Sequence, residues 1–203
     1  MNTFKLKTTF LLFLLCLTAS LKAADTPVIK VETRNVSLIY QVGENGRLYQ
    51  RYLGQKLNHD SDINFLPKGT EAYLTHGMED YFEPAIQILH NDGNSSLLLK
   101  YVTHSNRQLE SGVNETVITL QDDKYPVTVK LFYVAYNKEN IIKTYTEISH
   151  REKKPVVLSR YASSMLHLNR TKYFLTEFAG DWAHEANITD RELDFGTKVI
   201  DTK

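Results

Sequence analysis

Apolar and polar residues alternate along this chain with a period of two, and turn residues interrupt the alternation about every 8–12 positions. That pattern excludes most helical folds. Residues 36–42 read Val-Ser-Leu-Ile-Tyr-Gln-Val and residues 48–53 read Leu-Tyr-Gln-Arg-Tyr-Leu, both rich in β-formers. Between them lies Gly43-Glu44-Asn45-Gly46, whose Asn-Gly pair supplies the positive-φ residues of a tight hairpin. A second turn signal, Asn91-Asp92-Gly93-Asn94, separates residues 85–89 from 97–103. Residues 117–120 and 127–136 are strands joined by Asp122-Asp123-Lys124-Tyr125-Pro126. Asn137-Lys138-Glu139-Asn140 turns into residues 141–148, and residues 151–155 turn into 156–165.

Within residues 127–135, Val127, Val129, Leu131, Tyr133 and Ala135 share one face. The opposite face carries Thr128, Lys130, Phe132 and Val134, which is too apolar for open solvent. Both faces are therefore expected to be covered, one by a second sheet and the other by a second domain. Many short strands without a helical stripe predict an all-β sandwich. Residues 58–81, with Asp60, Asp62 and Pro67-Lys68-Gly69, read as one long connecting loop.

The amino terminus reads as a targeting segment. Lys5 and Lys7 form a basic start, residues 10–19 an apolar stretch of signal-peptide length, and Leu21-Lys22-Ala23-Ala24 a small-residue cleavage site after Ala23. A cleavable signal over residues 1–23 implies a secreted or periplasmic protein whose mature domain spans 24–203. Cys16 is the only cysteine and lies inside the leader. Leu15 is bulky where a lipoprotein signal wants a small residue, which argues against lipidation of Cys16. The mature chain thus has no disulfide, and a domain of this length, burying roughly 70% of its unfolded surface, can rely on its core.

Charge narrows the function further. Lys+Arg and Asp+Glu both number 24, so no excess points to nucleic acid or an anionic membrane surface. The chain has no Gly-rich phosphate loop and no Gly-x-Ser-x-Gly elbow. Its His residues, at 59, 76, 90, 104, 150, 167 and 184, lack metal-site spacing, so neither a metal nor a cofactor is expected.

The segment Gly180-Asp181-Trp182-Ala183-His184-Glu185 stands apart, because it places the single tryptophan among acids and a histidine. If the segment is extended, Trp182 and His184 share one face, and Asp181, Ala183 and Glu185 the other. An indole suits the C–H face of a sugar ring, and carboxylates suit its hydroxyls, so Trp182 and Glu185 are the candidate substrate-binding residues. A core or interface Trp182 with a solvated Glu185 is the plainer alternative.

Four stretches in order resemble the N-terminal domain of glycoside hydrolase family 36, the bacterial α-galactosidases. They are Leu48-Tyr49-Gln50-Arg51-Tyr52-Leu53-Gly54-Gln55-Lys56-Leu57; Glu71-Ala72-Tyr73-Leu74-Thr75-His76-Gly77 with Glu83-Pro84-Ala85-Ile86-Gln87-Ile88; Asp92-Gly93-Asn94-Ser95-Ser96-Leu97-Leu98-Leu99-Lys100-Tyr101; and Gly180-Asp181-Trp182-Ala183-His184-Glu185, similar to the family's Gly-x-Trp-x-x-Glu. The resemblance covers nearly all of residues 28–203. It implies a β-supersandwich, galactose-mutarotase-like, in front of a catalytic (β/α)₈ barrel that would lie beyond Lys203. It also implies retaining hydrolysis of terminal α-galactosides by two Asp residues of that barrel, so no catalytic residue is expected in this chain.

The implied partners are α-galactoside oligosaccharides, the catalytic barrel of the same protein, and other copies of a homo-oligomer. In oligomeric members an N-terminal loop reaches a neighbouring subunit's pocket. Residues 58–81 correspond in position without a motif to carry over. Where the family motif tends to carry Arg, this chain has Asp181 and His184, so those two positions are not carried over as substrate contacts. A free-standing carbohydrate-binding module, with Trp182 as its stacking platform, is the alternative. Sequons at Asn35, Asn94, Asn114, Asn169 and Asn187 fit either a eukaryotic secreted glycoprotein or a bacterial protein in which they are never read. The bacterial character of the resemblance favours the second.

Overall fold

The computed structural model describes residues 26–78, 82–168, 172–182, 184–194 and 196–200, with the side chains of residues 181, 184 and 185 outside that description. The leader read over residues 1–23, its Cys16 and the sequon asparagine Asn169 lie outside the described residues.

The described residues form twelve strands and one short 3₁₀ turn. The strands are β1 (Val28–Glu32), β2 (Val36–Val42), β3 (Leu48–Gln55), β4 (Thr70–Glu71), β5 (Ile86–Leu89) and β6 (Leu99–Glu110). They continue with β7 (Val113–Asp122), β8 (Val127–Tyr136), β9 (Ile141–His150), β10 (Val157–Tyr161), β11 (Phe174–Asp181) and β12 (His184–Glu192). One sheet has the order β1-β2-β3-β4 and a second β6-β7-β8-β9, and β10-β5 and β11-β12 form two-stranded ribbons. Every named pairing is antiparallel. The all-β sandwich expected from the alternation is the fold observed.

The two larger sheets share one core. Ile29, Val31, Leu38, Tyr40, Val42 and Leu48 from the first meet Leu99, Ile118, Leu120, Val129, Leu131 and Tyr133 from the second. Tyr40 and Tyr133 touch across the interface with ring centroids 5.2 Å apart. All five residues assigned to the inner face of 127–135 are buried.

The outer face of β8 is partly covered by its own sheet. Phe132 stacks on Tyr145 of the adjacent β9, centroids 4.5 Å apart, and Lys143 lies over the Tyr145 ring. Val134, also on that face, is only 5% exposed, while Thr128, Lys130 and Phe132 are half-buried.

The β2–β3 turn forms where Asn45-Gly46 placed it, by a less tight route. Gly46 N–H donates to Gly43 O (2.9 Å) and Gly43 N–H to Arg47 O (2.8 Å). Gly46 has φ +78, while Asn45 is not among the positive-φ residues. This is a type I turn closed by a left-handed glycine rather than a two-residue mirror-image turn.

The turn at Asn91-Asp92-Gly93-Asn94 also forms, with Gly93 N–H donating to His90 O (3.0 Å). It does not make a hairpin, because β5 pairs with β10 while β6 pairs with β7. Residues 58–81 are less of a loop than their composition suggests. Asp60–Phe65 form the 3₁₀ turn, started by a bond from His59 N–H to the Asp62 carboxylate (3.1 Å). Ala72, Tyr73 and Leu74 enter the core. The expected strand over 156–165 is shorter, ending at Tyr161.

Candidate functional site

Trp182 sits at the tip of the β11–β12 hairpin. Phe174↔Glu192 to Ala179↔Asn187 pair in continuous register, and after a bulge Asp181 pairs with His184. The chain therefore reverses between Asp181 and His184, and Trp182 and His184 do not alternate along one extended strand. Pairing of Asp181 with His184 replaces that arrangement. The bulge gives Ala186 a left-handed φ of +57.

Cross-strand polar contacts hold the hairpin. Thr176 Oγ1 donates to Asp190 Oδ1 (2.9 Å), Arg191 pairs with Glu177, and Leu193 N–H donates to Tyr173 O (2.8 Å). Phe174, Phe178 and Ile188 lie on one exposed face. Trp182 is 91% exposed, so it is not a core residue of the sandwich. An indole presented this way can lie flat against an apolar sugar face. The backbone of Glu185 belongs to β12, and its side chain lies outside the described residues.

The buried acids of the sandwich are committed to structural bonds. Asp122 accepts from the backbone N–H groups of Leu98, Lys124 and Tyr125. Glu71 pairs with Arg47, whose Nε lies 2.9 Å from Glu71 Oε1, and Glu115 pairs with Arg107 at 2.8 Å. Among the described residues no three His, Cys, Asp or Glu side chains gather as a metal site.

A polar cluster unmarked by the sequence joins two connections. His90, buried, has Nδ1 2.7 Å from Glu152 Oε1, and Asn91 donates to Glu152 Oε2 (2.8 Å). Tyr125 stacks on the His90 ring at 3.5 Å between centroids, and its hydroxyl donates to Asp92 Oδ2 (2.9 Å). Burial works to raise the Glu152 pKa, but the His90 and Asn91 hydrogen bonds and the His90 charge outweigh it and hold the carboxyl below its ordinary value. Asp92 is lowered by the Asn94 N–H and the Tyr125 hydroxyl. Asp92-Gly93 was legible as a turn, but its partners Tyr125 and Glu152 lie 33 and 61 positions or so along the chain from it or its neighbour.

Two of the clefts among the described residues bear on a candidate site. One, of about 590 Å³, lies among Phe82, Glu83, Met165, His167 and Thr197. The other, of about 660 Å³, lies on the outward side of β2 and β3, among Gln41, Glu44, Asn45, Tyr49, Arg51 and Lys68. Neither includes Trp182 among its lining residues.

Comparison with known proteins assigns this architecture. Residues 44–203 match the glycosyl hydrolase family 36 N-terminal domain. A protein named probable α-galactosidase G, from Aspergillus terreus, is 27% identical over 135 residues, which is 60% of this chain and 19% of that protein. Among solved structures, the α-galactosidase of Lactobacillus brevis superposes with a TM-score of 0.73 at 20% identity, covering 84% of this chain and 28% of that one. The family 36 α-galactosidase AgaA of Geobacillus stearothermophilus, in complex with 1-deoxygalactonojirimycin, gives 0.76 at 20% identity, with 83% and 28% covered. A raffinose complex of an AgaA variant gives 0.75 at 20% identity, again covering 83% and 28%. The chain thus spans about a fifth of the length of the curated relative and 28% of these solved chains.

Proposed function

Because the chain belongs to the glycosyl hydrolase family 36 N-terminal domain family, we propose that it is the supporting β-sandwich of an α-galactosidase that hydrolyses terminal α-galactosides with retention. The match over residues 44–203 carries this reading. In it, a barrel outside residues 1–203 performs the chemistry, and the sandwich does not cleave glycosides itself. Residues 1–23 are a signal removed after Ala23, residues 24–203 are the mature domain, and the enzyme is secreted or periplasmic. Oligosaccharides of the raffinose and stachyose type are its substrates, in keeping with the ligands of the AgaA complexes. Trp182 and Glu185 contact sugar where the domain meets the barrel, and the enzyme assembles as a homo-oligomer.

The test compares the 203-residue chain with a protein extended through the coding sequence downstream of the Lys203 codon. The extended protein is expected to hydrolyse an aryl α-galactoside with retention, and the shorter chain to show no turnover. Turnover by the shorter chain, or a downstream sequence without a barrel, overturns the reading.

The 91% exposure of Trp182 favours one further possibility, a carbohydrate-binding module. Calorimetric titration of the chain with raffinose decides it. Binding abolished by Trp182→Ala supports the module, and silence supports a domain that only braces the barrel.

A further inference from the structure

The cleft on the outward face of β2 and β3 is built rather than incidental. Gln41 pairs with Tyr49 across the two strands, and Arg51, two positions further on, shares their face. This face lies opposite the core residues Val42, Leu48 and Gln50. Each of the three side chains is held in place. Asn45 Nδ2 donates to the Tyr49 hydroxyl (2.8 Å), and the Tyr49 ring lies so close over Gly43 that a Cβ there would sit 2.7 Å from the ring. Gln41 Nε2 donates to Thr26 Oγ1 (2.9 Å), and its Oε1 accepts from Arg51. Arg51 also donates to Pro67 O and, at 2.7 Å, to Leu66 O, fixing the far wall of the cleft. Gly69, with φ +83, brings that wall against β3, where a Cβ would meet Gln50 O at 2.2 Å.

The rim carries Glu44 on one side and Lys68 on the other, both exposed. We propose that this cleft is a binding subsite for a neutral saccharide, separate from the Trp182 hairpin. A fixed aromatic ring with neighbouring amide, hydroxyl, carboxylate and ammonium groups matches the C–H face and hydroxyls of a sugar. The volume, about 660 Å³, is in the range of small-molecule sites. Because Tyr49, Gln41 and Arg51 are already immobilised, a ligand binds without the entropic cost of ordering them. Each Arg51 nitrogen already donates to a protein acceptor and Glu44 offsets the Lys68 charge at the rim, so the cleft presents no dedicated anion pocket. The choice of galactosides as probes rests on the α-galactosidase reading; the site itself does not.

The experiment is a ¹H–¹⁵N titration of the 203-residue chain with raffinose, with galacturonate in parallel. The expected result is saturable shifts at the amides of residues 43–45, 49 and 68–69. Combined Glu44→Gln and Lys68→Ala, which alter exposed groups, should weaken the raffinose affinity about tenfold or more while leaving the rest of the spectrum in place. Tyr49→Leu should abolish the shifts, with the spectral dispersion of β2 and β3 reporting that the sheet is intact. Absence of shifts at these amides overturns the subsite, as do shifts unchanged in the double variant or tighter binding of galacturonate than of raffinose. Response at the Trp182 indole without response at the cleft would sink the subsite and leave the family reading standing.

Discussion

The buried side chain of Gln50 takes both backbone hydrogen bonds of His167, accepting from its N–H at 3.1 Å and donating to its C=O at 2.7 Å. Gln50 stands on the core face of β3, 1% exposed, and His167 follows it by 117 positions. The amide acts as a missing strand partner for a segment outside the named strands. The same segment is tied by His167 Nε2, 2.7 Å from Glu71 O, and by the Tyr73 hydroxyl donating to Ala162 O (2.7 Å). Gln50→Leu should therefore cost about 2–3 kcal/mol in urea unfolding, because it leaves two backbone groups unpaired. Gln50→Glu, which keeps the acceptor but sets a buried carboxylate oxygen against the His167 C=O, should cost at least as much as Gln50→Leu at neutral pH. Equal stabilities for wild type and Gln50→Leu would refute the role.

A second prediction concerns acid stability. The folded-state pKa of Glu152 lies below its ordinary 4.5, and that of Asp92 below its ordinary 3.8. For depressed carboxyls the stabilisation is present above the ordinary value and is lost as pH falls through the lower folded value. Glu152→Gln should thus lower the melting temperature at neutral pH and flatten its decline between about pH 5 and pH 3. A Glu152→Gln curve parallel to wild type would show that the His90 contact does not contribute.

The third prediction concerns Tyr40. The hydroxyl of Tyr40 is buried beside Tyr133 and makes no hydrogen bond of ordinary geometry. Tyr40→Phe removes a poorly satisfied polar atom while keeping the ring against Tyr133, so stability should change by no more than about 1 kcal/mol. A loss of more than that in thermal unfolding would mean the hydroxyl is bonded in solution.

Asn140 offers a separable pair of effects. It adopts φ +59 in the β8–β9 turn, and its Oδ1 accepts from Thr33 Oγ1 (2.6 Å) and Asn35 N–H (3.0 Å). Asn140→Gly keeps the left-handed backbone and loses the clasp, at about 1–2 kcal/mol. Asn140→Ala loses both and should cost about 1 kcal/mol more. The order of the two melting temperatures checks the division.

Trp182→Ala should leave global stability within about 0.5 kcal/mol, as expected of a highly exposed side chain. A larger loss in urea unfolding would show that the indole supports the hairpin, and would weaken its assignment as a sugar platform.

Local chemistry was legible where neighbours in sequence are neighbours in space. The β2–β3 turn followed from its Asn-Gly pair, the β7–β8 and β8–β9 turns from their Asp, Asn and Pro residues, and the inner face of β8 from alternation. What failed was inference from a stretch read alone. Ala72, Tyr73 and Leu74 looked like part of a loop, because too few residues surround them to show a period. Trp182 was placed on an extended strand, because no Gly-Asn signal marks the reversal between Asp181 and His184. No spacing singled out His90 among the seven His residues, and only the fold brings Glu152 and Tyr125 against it.

The sequence by itself determined the fold class, the inward-facing set on the strands and the family, since each depends on local periodicity or on ordered short motifs. Tertiary structure alone decided which strands pair beyond the sequence-adjacent hairpins. It sent β5 to β10 rather than to β6, seated the 162–168 segment on Gln50 and Tyr73, and set Tyr49, Gln41 and Arg51 around one cleft. The physical reason is that a strand's alternation states which face it buries and leaves its partner open. Partners are selected by contacts formed across the whole chain, where burial and hydrogen-bond satisfaction must be met together.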